Sequence, residues 1–89
     1  MRDRTCVCNY VINFDDFLEM PLETQALYFH LLLRADDDGY IVNPKAILRE
    51  TRSKESSLTL LTAKGYIQYT EEGYYYISDW DIHMDQEDV

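Results

Sequence analysis

The chain has 89 residues, 46% of them hydrophobic and 13% aromatic, and a formal net charge of −9. That length fits one domain, with enough apolar material to offset chain entropy despite the acidity. The longest apolar stretch, residues 26–33, is broken by His30 and falls far short of the ~18 residues of a membrane span. The first residues lack the apolar core and cleavage site of a secretory signal, so a cytoplasmic chain without a membrane partner is expected.

Cys6 and Cys8 are the only cysteines and lie on a segment, residues 1–12, expected to be extended. Their spacing puts both thiols on one face, poor geometry for a mutual disulfide, so both read as reduced. His30 and His83 are the only histidines, too few for a zinc set, and no metal or cofactor is expected. Asn13 is placed to cap a short helix over residues 14–19, with Asp15 and Asp16 at its positive end and Met20-Pro21 as its stop. The next helix, about residues 22–35, carries Leu22, Ala26, Leu27, Phe29, Leu31, Leu32 and Leu33. It is apolar around most of its circumference, which predicts the central core helix. Glu23, His30 and Arg34 share a narrow arc, placing His30 at a solvent edge rather than in a catalytic cleft.

Asp36-Asp37-Asp38-Gly39 predicts a helix-ending turn and Tyr40-Ile41-Val42 a strand. A calcium loop fails here: with Gly39 in the invariant glycine place, the first and last ligands would be Arg34 and Lys45. Asn43-Pro44 starts a helix, asparagine as cap and proline at the first position, with Ala46, Ile47 and Leu48 on the buried face. Ser53 is expected to cap the following helix, residues 53–64, with Leu58, Leu60 and Leu61 inward and Lys54, Ser57 and Thr62 outward. Gly65 closes it. Residues 66–70 and 74–78 flank Glu71-Glu72-Gly73 as a hairpin, to which residues 40–42 can add a third strand. Alternation sets Tyr75 opposite Tyr74 and Tyr76, so at least one of the three faces solvent. Together these elements predict an α+β winged helix-turn-helix of about four helices with a two- to three-stranded antiparallel wing. It spans residues 13–80, and an acidic tail follows at 81–89.

The charge is unevenly spread. Residues 1–42 carry three cations against eight acids, residues 43–64 five against two, and residues 65–89 none against seven. Only the two helices of the helix-turn-helix are basic, while the tip of the wing is Glu71-Glu72-Gly73. Wings rest against phosphates, and an acidic one repels a duplex.

From Phe17 to Trp80 the chain resembles the winged-helix N-terminal domain of replisome-organiser and DnaD-like replication initiation proteins of bacteriophages. The residues that carry the likeness are Met20-Pro21-Leu22, Gln25-Ala26-Leu27-Tyr28-Phe29-His30-Leu31 and Arg34-Ala35-Asp36-Asp37-Asp38-Gly39-Tyr40. Asn43-Pro44-Lys45, Leu60-Leu61-Thr62-Ala63-Lys64-Gly65 and Ile77-Ser78-Asp79-Trp80 complete it. The resemblance implies a phage or prophage origin, a bacterial host cytoplasm and a non-enzymatic binding role. Members of that family continue past the tryptophan into a basic stretch and a replication region. Here residues 81–89 are acidic, as expected of a short stand-alone form.

Three binding functions follow. In the first, the chain is an inhibitor that enters a basic nucleic-acid groove on a host protein, similar to anti-CRISPR proteins that mimic DNA. Asp36, Asp37, Asp38, Glu71, Glu72, Asp79, Asp81 and Asp85 then stand in for phosphates, and Tyr74, Tyr75 and Tyr76 add contact area. In the second, Lys45, Arg49, Arg52, Lys54 and Lys64 bind DNA, with the chain a homodimer or a regulator of phage genes. The third is a structural adaptor. No paired nucleophile and base, metal cluster or phosphate-binding glycine loop points to catalysis.

Overall fold

The computed structural model describes residues 6–85. In chain order the elements are α1 (Asn9–Ile12), α2 (Asp15–Leu18), α3 (Leu22–Arg34), β1 (Tyr40–Ile41), α4 (Pro44–Thr51), α5 (Glu55–Ala63), β2 (Ile67–Tyr69), β3 (Tyr75–Ile77) and α6 (Trp80–Met84). The described residues thus form an α+β fold of six helices and one antiparallel sheet of order β1-β3-β2, compatible with a wing. None of these helices is long and apolar enough to cross a membrane.

One face of α3 makes the centre of the core. Leu27, Tyr28, Leu31 and Leu32 are buried there together with Phe17 of α2, Leu61 of α5 and Ile41, Ile67 and Ile77 of the sheet. Phe17, Tyr28 and Tyr66 pack mutually edge to face with ring centroids 5.3–5.7 Å apart. Such pairs contribute about 0.5–1.5 kcal/mol each beyond their area burial. Thr24 donates through Oγ1 to Ser57 Oγ at 3.0 Å, tying α3 to α5 through two buried hydroxyls. Ser57 is therefore interior rather than on the outer side of α5, because that hydrogen bond offsets the cost of burying it.

Helix ends follow local chemistry. Asn43 caps α4 by accepting the Ala46 N–H, as its sequence predicts. Ser53 does not cap α5: that place falls to Lys54, without a side-chain cap bond. Ser53 belongs to the end of α4, its N–H donating to Leu48 O and its hydroxyl contacting Thr51 Oγ1 at 2.7 Å. Asn13 likewise ends α1, donating its N–H to Asn9 O, and Phe14 takes the cap place of α2.

The two middle helices close with the same paired bonds. After α5, Gly65 at φ +86 donates to Thr62 O and Tyr66 donates to Leu61 O. After α4, Arg52 at φ +59 donates to Arg49 O and Ser53 to Leu48 O. A left-handed non-glycine residue costs about 1–2 kcal/mol. Arg52→Gly is accordingly expected to stabilise the chain by about 1 kcal/mol, read as a rise in Tm of about 4–8 °C. An unchanged or lower Tm would count against the strain.

Both ends of the described chain differ from the sequence reading. Residues 9–12 are helical instead of extended, with Cys8 and Val11 buried; Cys6 is half-buried, and neither cysteine is in a disulfide. Residues 80–84 form α6, so the segment expected to be a tail enters the core: Trp80 and His83 are buried one turn apart. The remaining residues of both segments, 1–5 and 86–89, lie outside the described residues. His83 is fully enclosed and joins the two ends. Its Nδ1 accepts the Cys8 N–H at 2.8 Å, so the proton sits on Nε2, 2.7 Å from Tyr28 Oη. Burial lowers the imidazole pKa below its ordinary 6.5, against a smaller upward pull from Asp79. Burial, then Asp79, raises the Tyr28 phenol above its ordinary range.

Candidate functional site

Cross-strand partners share a face, so the register assigns every side chain of the small sheet. Ile67 pairs with Ile77, while Ile41 and Tyr69 pair with Tyr75; these define the core-side face. Tyr40 and Gln68 pair with Tyr76 on the opposite face. Tyr40 lies with its ring centroid 5.2 Å from that of Tyr76 and 6.3 Å from that of Tyr74. Tyr74, Tyr40 and Tyr76 therefore form one outward aromatic layer. Tyr75 is not part of it: it is half-buried against the ring of Tyr69 at 4.9 Å.

Carboxylates border this layer. The turn from α3 into β1 is closed by Asp36, whose Oδ1 accepts the N–H groups of Asp38 and Tyr40 at 2.9 Å each. Its backbone N–H also donates to Tyr40 O. The hairpin tip turns at Gly73, with Thr70 Oγ1 accepting the Tyr74 N–H, and holds Glu72 out beside Tyr74. A groove of about 420 Å³ results, lined by Asp36, Tyr40, Val42, Glu72 and Tyr74. The Tyr76 phenol is raised above 10 by burial first and then by Asp81, Tyr40 and Asp38, so it remains a donor at neutral pH.

The other acidic candidates are dispersed. Asp79 stands at the start of α6, its charge acting on Tyr28, Tyr66 and His83. Asp37 is exposed, its backbone oxygen accepting from Trp80 Nε1 at 3.3 Å. Glu71 is exposed at the hairpin tip and Asp85 at the end of α6. Sequence reasoning missed Tyr40 and Val42 as site residues. The signal was present: they alternate around buried Ile41, both on the side a two-layer strand gives to solvent.

Lys45, Arg49, Arg52, Lys54 and Lys64 are all exposed. They sit on α4 and at the two ends of α5. Along α5 the exposed residues are Glu55, Ser56, Thr59 and Ala63, a surface with one acid and no cation. Among the described residues, no group of three or more His, Cys, Asp or Glu side chains is placed to hold a metal ion.

No family model, curated protein or solved structure matches the chain.

Proposed function

We propose that this chain is a phage-borne winged helix-turn-helix that binds without catalysis, filling a basic nucleic-acid groove on a host protein with the outer face of its wing. One observation carries the reading: Tyr40, Tyr74 and Tyr76 share a face bordered by Asp36 and Glu72, with the charges of Asp38 and Asp81 acting on the Tyr76 phenol. Arginines that grip phosphates have two uses for such a face. They stack on aromatic rings and pair with carboxylates by charge-assisted hydrogen bonds. Asp36 is held by two backbone N–H groups before any partner arrives, which reduces the ordering cost of binding. The field of a −9 chain also steers it toward cationic surfaces. Binding of DNA through Lys45, Arg49, Arg52, Lys54 and Lys64 is less well served, since the exposed side of α5 offers a major groove no cation.

The test is capture from bacterial extract on the immobilised chain, followed by elution with duplex DNA. Proteins bound through a nucleic-acid groove are expected to be released by DNA and to be lost with Glu72→Lys plus Tyr74→Ser. Both positions are exposed, so the fold should persist. Capture that DNA does not reverse and that the double variant retains would contradict the proposal.

A further inference from the structure

Helix α3 is apolar on both its buried and its exposed side, unlike an ordinary surface helix. Its buried face, Thr24, Leu27, Tyr28, Leu31 and Leu32, lies opposite a pole made of Leu22, Ala26, Phe29 and Leu33. At 3.6 residues per turn those four fall within an arc of about 60°. Leu22 is 80% and Leu33 60% exposed, Ala26 is exposed and Phe29 half-buried. Charged residues ordinarily occupy such a pole. The alternating spacing of four, three and four is that of a two-helix seam.

We infer that this stripe is the contact between two copies of the chain, packed α3 to α3 in antiparallel orientation about a two-fold axis. The stripe is self-complementary about its midpoint. Antiparallel pairing sets Leu22 against Leu33 of the second copy and small Ala26 against large Phe29 of the second copy, so the layers interdigitate. The flank is self-complementary too. Glu23 lies at one end and Arg34 at the other, so pairing brings the acid of each copy beside the guanidinium of the other, which in its own chain donates to His30 Nδ1 and lies 3.8 Å from Glu50. This face escapes the charge excess that would oppose self-association through the acidic side of the sheet.

The contact is independent of the wing face and goes beyond the function proposed above. With 13 residues α3 is about 20 Å long, which places a contact on this helix alone among small, weak interfaces. Two copies of net charge −9 also repel at long range, so added salt strengthens the pair by screening.

Sedimentation equilibrium of the full chain over the micromolar range tests the inference. The expected result is a monomer–dimer equilibrium that tightens with salt and weakens at least about tenfold in Leu33→Glu, with an unchanged far-UV circular dichroism spectrum. Glu23→Arg is expected to weaken the dimer, and the added change Arg34→Glu to restore it, because only antiparallel copies bring these positions together. A single-chain mass at every concentration overturns the proposal, as it would if a different protein covered the stripe. So does a dimer indifferent to Leu33→Glu, or one that the charge exchange fails to restore.

Discussion

Replacing Gly39 with alanine is expected to be the most damaging small change in the chain, lowering stability by about 2–5 kcal/mol. Two causes add. Gly39 has φ +92, a conformation an L side chain adopts only with strain, and a Cβ there would stand 2.5 Å from Trp80 Cγ and 2.9 Å from Trp80 Cβ. Trp80 cannot yield easily, being 3% exposed and donating through Nε1 to Asp37 O. For a domain of this size the loss corresponds to a fall in Tm of at least about 10 °C. Gly65→Ala separates the two causes, because Gly65 has a similar φ of +86 with nothing within 4 Å of the added Cβ. It should cost only the backbone strain, about 1–2 kcal/mol. Equal losses at the two glycines would show that the indole contact is unimportant.

His83→Leu is expected to cost about 2–5 kcal/mol while preserving apolar bulk. The substitution leaves the Cys8 N–H and the Tyr28 hydroxyl without their imidazole partner in a fully buried place, and each lost partner costs about 1–3 kcal/mol. The same residue sets a pH dependence. Its folded pKa is depressed, so below about 6.5 the unfolded chain takes up a proton that the folded chain resists. The stabilisation is complete above the unfolded value and is lost as pH falls from about 6.5 toward the folded value. A second ring proton would also set Nδ1–H against the Cys8 N–H. Between about pH 7 and 5, above the ordinary carboxylate range, Tm should fall in the native chain and fall less in His83→Leu. Parallel Tm profiles would show that His83 does not carry this titration.

Turn chemistry was the most readable part of the sequence. Asn43-Pro44, the Asp36–Gly39 turn, Gly65 and Glu71-Glu72-Gly73 act within a few residues of themselves, and each stands where local rules put it. The third strand was readable because a lone hairpin is marginal. The caps expected of Asn13 and Ser53 failed locally, each residue closing the preceding helix instead, and the other misreadings depended on distant partners. Ser57 is indistinguishable from a surface serine until Thr24 is brought against it. The acids around Trp80, His83 and Met84 disguised a helix whose apolar face has the spacing i, i+3, i+4. A helix apolar around most of its circumference shows only its charged edge, so of α3 the arc of Glu23, His30 and Arg34 read as solvent-facing while exposed Leu22, Ala26 and Leu33 read as core. At the site, alternation correctly divided Tyr74 and Tyr76 from Tyr75. Alternation around Ile41 also turns Tyr40 toward solvent, but its place beside Tyr74 and Tyr76 depends on the register of a strand pairing 36 residues apart in sequence.

The central claim, that the wing face meets protein and the helices do not hold DNA, is tested most directly by titrating the purified chain against labelled duplex DNA at low and physiological salt. The proposal requires no binding even at low salt, where phosphate contacts are strongest. Micromolar or tighter binding that weakens with added salt and is lost on replacing Lys45, Arg49 and Lys54 would contradict it.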